Sequence, residues 1–260
     1  MPASKLVTHT DLDGIMSAAI YQLVNPGSEI IGTYDFKRIE FVGDWTLEKT
    51  RNNPDVLYLD LDIARYGYQS MGHHICSPDN SVVLPNNPNY HFGVTDLRCK
   101  FPMNTALMLT EQYHIAWSKE QMQHLWMIDG AVCNYIKYTP NVLTWLDRMP
   151  FLNAYGPPTT PVNIHPVANF CQSKVSLNTM QPMVDAITEL TGLTVRVAPG
   201  DITTTQLTPW RSHPAGRNDP APKLTDEQIL TILQDPQLFS LAIINQGMVS
   251  YTYLPMQVGG

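Results

Sequence analysis

Apolar positions along the first third of the chain change period repeatedly, and each change marks an element. Lys5-Leu6-Val7-Thr8 is a short β-prone run that stops at a polar cluster spanning 9–14. Ile15, Ala18, Ala19 and Leu23 then recur at helical spacing up to Val24, where Asn25-Pro26-Gly27 breaks the helix. Ser28 to Tyr34 predicts a second strand. Val56-Leu57-Tyr58-Leu59 predicts a third, after the turn-prone Asn52-Asn53-Pro54-Asp55. Thr105 to Tyr113 and Lys119 to Ile128 predict helices, the second capped by Ser118. Strand, polar loop, helix, strand is the rhythm of an α/β fold with a parallel sheet. Ligands of such sheets bind beyond the carboxyl ends of the strands, and the loops at 9–14 and 60–62 fall on that rim.

The pattern changes near 149–166. Met149-Pro150 and Gly156-Pro157-Pro158-Thr159-Thr160-Pro161 suit a linker. The expected organisation is an N-terminal parallel-sheet domain over 1–150, a linker over 151–166 and a smaller mixed α/β region over 167–260. In that last region Met183–Leu190 predicts a helix, Leu193–Val197 a strand, 208–223 a long loop and Thr225–Leu233 a capped helix.

Composition narrows the function classes. Hydrophobic residues make up 43% of the 260, enough for a sizeable core. A formal net charge of −7 argues against a broad basic grip on long duplex DNA. A short nucleotide stays open, because bound divalent metals supply positive charge locally. Cys76, Cys99, Cys133 and Cys171 include no Cys-x-x-Cys pair, which predicts free thiols rather than a zinc ribbon or a disulfide framework. Leu6-Val7 leads straight into polar residues, so no signal peptide or membrane span is expected there and the expected location is cytoplasmic, with no membrane partner.

Four pieces carry candidate chemistry. His9, Asp11 and Asp13 alternate in the loop after the first strand, with Gly14 opening a helix. Helix capping accounts for one aspartate but not for the histidine and the other acid. Asp60 directly follows an apolar strand, and Asp62 lies two residues on; either is a candidate acid, with Asp60 preferred. His73-His74 follows Gly72, and adjacent histidines in an extended segment point opposite ways, so one suits a metal and the other a substrate phosphate. Asp129-Gly130 closes an apolar helical stretch, where a carboxylate opposes the helix dipole and needs a compensating cation.

In this order the pieces resemble the DHH phosphoesterase superfamily, which includes RecJ-type exonucleases, oligonucleotide and cyclic-dinucleotide phosphodiesterases and manganese-dependent pyrophosphatases. His9-Thr10-Asp11-Leu12-Asp13-Gly14 fits the family's first motif, His-x-Asp-x-Asp-Gly. Asp60, Gly72-His73-His74, Asn87-Pro88, the helix around Thr105–Thr110 and Asp129 match the rest, over about residues 5–135. The resemblance implies two metal ions. His9, Asp11 and Asp60 hold one; Asp13, Asp60, His73 and Asp129 hold the other. Oxygen-rich ligation with two imidazoles suits Mn²⁺, with Mg²⁺ possible. It implies hydrolysis of a phosphodiester in a short or cyclic nucleotide by a metal-bridging hydroxide, with Asp60 as bridge and His74 at the scissile phosphate. Alternatives are an exonuclease on single-stranded nucleic acid, phosphomonoester or pyrophosphate hydrolysis, and a non-catalytic binding protein.

Two departures mark this chain. Gly72 replaces the family's aspartate, which supports the neighbouring histidine, so Gly72→Asp is expected not to reduce turnover. Only 13 positions separate Asp60 from His73, so the connection between them is expected to be rebuilt. The family's C-terminal Gly-Gly-Gly-His motif has no counterpart. Candidate substrate-gripping cations are Arg98, Lys100, Arg211 and Arg217, with His213 beside them. Trp210 and Tyr90 are candidate base-stacking rings.

Overall fold

The computed structural model describes residues 2–156, 170, 173–211, 223–245 and 248–255. In chain order the strands are β1 (Lys5–His9), β2 (Glu29–Tyr34), β3 (Arg38–Val42), β4 (Val56–Leu59), β5 (Ser70–Met71), β6 (Ile202–Gln206), β7 (Thr208–Arg211), β8 (Leu238–Asn245) and β9 (Met248–Tyr253). The helices are α1 (Leu12–Val24), α2 (Leu47–Thr50), α3 (Pro88–His91), α4 (Thr105–Tyr113), α5 (Lys119–Met127), α6 (Ala131–Lys137), α7 (Thr139–Asp147), α8 (Pro150–Tyr155), α9 (Gln181–Thr191) and α10 (Asp226–Leu233).

A six-stranded sheet runs in the order β5-β4-β1-β2-β3-β6, and a three-stranded one in the order β7-β9-β8. The pairs β5–β4, β4–β1 and β1–β2 are parallel, whereas β2–β3 and β3–β6 are antiparallel. The chain is therefore mixed α/β, with a mostly parallel main sheet and a small antiparallel one.

The central strands are buried on both faces, which is why β4 reads as the unbroken apolar run Val56-Leu57-Tyr58-Leu59. Leu6, Leu57 and Leu59 face a helical layer that includes Ile15 of α1, Leu107 of α4, Trp126 of α5 and Trp145 of α7. Val7, Tyr58, Ile31 and Phe41 face the other way, toward Phe239 of β8. α1 is buried from Leu12 through Gln22, so it has no solvent stripe and its apolar spacing is dense rather than amphipathic.

Residues from both sides of the expected linker share this frame. Met183 and Ile187 of α9 join the helical core, and β6 extends the main sheet beside β3. Two expectations need correction. Residues 151–155 are helical rather than linker, because Pro150 occupies the first turn of α8, where its missing N–H is no loss. Leu193–Val197 is not a strand; its one sheet-like contact is a bridge between Val197 and Ile30. Residues 157–169 lie outside the described residues. So do 212–222, the greater part of the expected 208–223 loop, while Thr208–Arg211 forms β7.

The small sheet packs across the carboxyl edge of the large one. Tyr34 Oη lies 2.6 Å from Ser240 Oγ and 3.0 Å from Thr252 Oγ1. Leu241 N–H donates to the Asp62 carbonyl at 3.2 Å, and Ile75 bridges to Ile243. Among the described residues no helix is long and apolar enough to cross a membrane. Cys76, Cys99 and Cys133 are free thiols.

Candidate metal centre

β5, β4 and β1 are neighbours and parallel, so residues leaving their carboxyl ends meet on one rim. His9 ends β1, Asp60 follows β4, and Gly72-His73-His74 follows β5. The connection from Asp60 to β5 carries no helix, in keeping with the short spacing in sequence.

Two sets of donors gather there. His9, Asp11 and Asp60 each present a ligand atom within 4.8 Å of the others, and so do Asp13, Asp60 and His73. Asp60 belongs to both. His9 Nδ1 lies 2.5 Å from Asp11 Oδ2 and 3.8 Å from Asp60 Oδ2. His73 Nδ1 lies 3.5 Å from Asp60 Oδ1 and 3.9 Å from Asp13 Oδ2. Asp129 stands at the mouth, its side chain 39% exposed, with Oδ2 4.0 Å from His73 Nε2. All six sequence-predicted ligands are thus brought to one place.

Asp60 and Asp129 both hold left-handed backbone, at φ 56° and φ 53°. Aspartate tolerates that region better than bulkier residues, and such conformations cluster where the surrounding structure fixes a side chain for use. Asp129 sits in a 3₁₀ turn, Ile128–Gly130, directly after α5. Asn104 secures that turn by donating from Nδ2 to the carbonyls of Leu125 and Ile128, at 2.8 and 2.9 Å.

The electrostatics are those of a site short of positive charge. Burial, then the charges of Asp129 and Asp11, pushes the Asp13 carboxyl up to about 7, against opposing hydrogen bonds from the backbone of Thr105 and Ala106. Burial, then the charges of Asp13, Asp11 and Asp129, drives Asp60 well above the usual carboxylate range. Burial also raises Asp11, but the charge and hydrogen bond of His9 outweigh it and hold this acid well below its ordinary value. Burial and then the neighbouring His74 keep His73 neutral. Neutral imidazole and crowded carboxylates are what a divalent cation requires. The His9 Nε2 atom is buried and has no hydrogen-bond partner among the described residues. The two donor sets could therefore each hold a metal ion.

The helix-capping alternative holds in part. Asp11 caps α1 by accepting from Gly14 N–H at 3.2 Å. Asp13 caps a different helix, accepting from Thr105 N–H at 2.8 Å and Ala106 N–H at 2.9 Å at the start of α4. Thr105 also donates from its hydroxyl to Asp60 Oδ1 at 2.8 Å and lies 2.9 Å from His73 Nδ1. One helix start thus steadies three candidate ligands, which sequence reading had not noticed. Gly14 lets this turn close: a Cβ there would lie 2.8 Å from the His9 carbonyl carbon.

Asp62, the alternative to Asp60, also lines the cavity at this rim but pairs with His74 and Asn87 rather than with the two donor sets. Its Oδ2 lies 2.8 Å from His74 Nδ1 and accepts from His74 N–H at 3.2 Å, while Oδ1 accepts from Asn87 Nδ2 at 2.8 Å. Gly72 adjoins this carboxylate so closely that a Cβ would stand 2.6 Å from Asp62 Cγ. Gly72→Asp, expected from sequence not to reduce turnover, would therefore crowd the Asp62 carboxylate.

His9, Asp11, Asp60, His74 and Asp129 line a cavity of about 190 Å³. Phe36, Lys174, Leu241 and Ser250 are among its other walls, while Asp13 and His73 do not line it. Lys174 Nζ lies 4.7 Å from the Phe36 ring centroid, and its charge opposes the rise that burial and then Asp11 impose on Asp129. Sequence reading overlooked Lys174, which lies just past the Pro-rich stretch in no motif. Val175 N–H, bonded to the Thr10 carbonyl at 2.8 Å, brings it to the rim.

The predicted cations behave differently. Arg98 has an 89% exposed side chain paired with Asp96, and Lys100 donates to the Ile244 carbonyl at 2.9 Å; neither lines the cavity. Arg211 contributes backbone to β7, and Arg217 and His213 lie outside the described residues. Trp210 stacks on Tyr251 at 4.7 Å between centroids, and neither it nor Tyr90 reaches the cavity. No protein-family profile, curated protein or solved structure matches this chain.

Proposed function

We propose that this chain is a two-metal phosphoesterase that hydrolyses a phosphodiester in a short or cyclic nucleotide. The observation that carries the reading is the pair of donor sets sharing Asp60 at the ends of adjacent parallel strands. His9, Asp11 and Asp60 would hold one ion, and Asp13, Asp60, His73 and Asp129 the other. Divalent ions in such a site supply a water of lowered pKa and neutralise charge on phosphoryl oxygens. Lys174, on the cavity wall, meets a phosphate entering from outside. His74 shares that wall with Asp129 and would contact the scissile phosphate through Nε2. β8 and β9 press Leu241 and Ser250 against the cavity, which favours a compact substrate over a continuous strand. The net charge of −7 points the same way.

The test is Mn²⁺ and Mg²⁺ binding by calorimetry, followed by a Mn²⁺ substrate panel of bis-p-nitrophenyl phosphate, cyclic dinucleotides, dinucleotides, pyrophosphate and single-stranded DNA. Asp11→Ala and Asp60→Ala are expected to abolish hydrolysis. Wild-type turnover in both variants would place the chemistry elsewhere. Metal binding with no hydrolysis of any member would favour a non-catalytic binding protein.

A further inference from the structure

We propose that Asp62 is the positioning residue of His74, and that position 72 is glycine because the Asp62 carboxylate occupies the space a side chain there would need. The proposal rests on the phosphoesterase reading only for its rate measurement; its geometric half is independent.

The Asp62 side chain is 5% exposed, and both of its oxygens are committed. Oδ2 takes the His74 backbone N–H and the His74 ring Nδ1, and Oδ1 takes the Asn87 amide. Asn87 also donates to the His74 carbonyl at 2.7 Å, so the same amide holds both ends of the contact. The Asp62 carbonyl accepts from Leu241 N–H, which ties the loop to β8. A carboxylate fastened at so many points cannot swing away when the cleft fills.

The consequence falls on His74. With Nδ1–H donated to a carboxylate, Nε2 is the nitrogen left to the cleft that His74 lines. The ring is also stacked on His73, with centroids 4.3 Å apart and planes 29° apart, so the adjacent imidazoles lie side by side rather than pointing opposite ways as expected from sequence. Its tautomer and its tilt are therefore both set by its neighbours, Asp62 and His73. Position 72 explains why the carboxylate comes from ten residues upstream. An added Cβ would lie 2.6 Å from Asp62 Cγ and 2.8 Å from Oδ2, and closer still to Oδ1. A side chain at 72 would thus have to displace the Asp62 carboxylate from His74. Asp62 gives His74 the carboxylate that position 72 lacks, and glycine at 72 leaves room for it. A residue that merely latched the loop would need Asn87 and Leu241 but not the imidazole.

The experiment compares Asp62→Asn, Asp62→Gly, Gly72→Asp and the double variant Asp62→Gly/Gly72→Asp in the full chain. Long-range ¹H–¹⁵N spectra of the metal-free proteins read the His74 tautomer, and thermal midpoints read the crowding. With Mn²⁺, kcat and KM on bis-p-nitrophenyl phosphate read the consequence. Asp62→Asn is expected to lose the single Nδ1–H tautomer and to lower kcat about 10- to 100-fold, with KM within about twofold and two Mn²⁺ still bound. Gly72→Asp alone is expected to lower the midpoint. The double variant is expected to recover that midpoint and to regain at least about tenfold in kcat over Asp62→Gly. An Nδ1–H tautomer and kcat unchanged in Asp62→Asn would overturn the positioning role. A double variant no more stable than Gly72→Asp would overturn the spatial exchange. Should Asp62→Asn fail to fold, Asn87→Ala, which loosens the same carboxylate, must disturb the tautomer for the proposal to stand. If the wild type hydrolyses no phosphoester, the functional reading fails while tautomers and midpoints still decide the role of Asp62.

Discussion

Truncating Asn104 to alanine removes three hydrogen bonds from the region that places Asp129. The side chain is fully buried. Its Oδ1 accepts from Leu107 N–H at 2.8 Å as the N-cap of α4, and its Nδ2 donates to the carbonyls of Leu125 and Ile128. Losing the cap costs about 1 kcal/mol. The two carbonyls are not orphaned, because Leu125 O still accepts from Ile128 N–H and Ile128 O from Ala131 N–H. Each lost amide bond therefore costs about 1 kcal/mol, rather than the larger penalty of an unsatisfied group. The sum is about 3 kcal/mol, or roughly 6–12 °C in thermal midpoint for a chain of this size. Urea unfolding with EDTA measures it. Asn104→Ser, whose hydroxyl can still cap α4, is expected to recover only about 1 kcal/mol. Calorimetry on the folded variant measures the functional half: Mn²⁺ affinity at the site that includes Asp129 is expected to fall about tenfold. A loss below about 1 kcal/mol with unchanged Mn²⁺ affinity would refute the view that Asn104 holds the turn carrying Asp129.

Further outcomes follow from the same geometry. Asp13, pushed up to about 7 by burial and then by Asp129, and Asp60, raised well above the usual range, must shed protons to take metal. Their folded values exceed the unfolded one, so in metal-free protein their contribution to stability is full below the unfolded value and lost as pH rises through the folded one, about 7 for Asp13. Mn²⁺ affinity should accordingly rise with pH, about tenfold per unit for each proton displaced, and calorimetry in buffers of different ionisation heat counts those protons. Affinity that is flat between about pH 5 and 8 would contradict this. Lys174→Ala should raise KM about tenfold on phosphodiesters, with kcat changed much less; steady-state kinetics that show the reverse split would assign Lys174 to the chemical step. Gly14→Ala should destabilise the chain by several kcal/mol, since its Cβ would press on the His9 backbone; a soluble variant with wild-type thermal midpoint and Mn²⁺ binding would show the turn to be slack.

How much was legible in sequence depends on whether neighbours along the chain are neighbours in space. The element reading succeeded for α1, β2, β4, α4 and α5, where the apolar period was strong and the boundaries carried breakers or caps. It missed β3, whose partners β2 and β6 include one more than 150 residues downstream, and the β8–β9 hairpin that walls the cavity. It assigned substrate contacts to Arg98 and Lys100 because they follow the histidine pair, yet Arg98 is paired on the surface with Asp96 and Lys100 is spent on the Ile244 carbonyl. Charge and proximity in sequence do not say which way a loop turns.

By itself the sequence offered the candidate donors and their order: imidazole and carboxylates, several of them just after β-prone runs, which in a parallel sheet share one rim. Strand direction alone does that. Only the tertiary structure decided which donors face one another. It turned Asp60 toward His9 and His73 and Asp62 toward His74, although the two acids lie two residues apart. It made Asp13 a cap of α4 rather than of its own helix, and it brought Lys174 to the cavity from beyond the Pro-rich stretch. The physical reason is common to all three. Direction and burial are set by local pattern, whereas the partner of a polar group is set by what the rest of the fold packs against it.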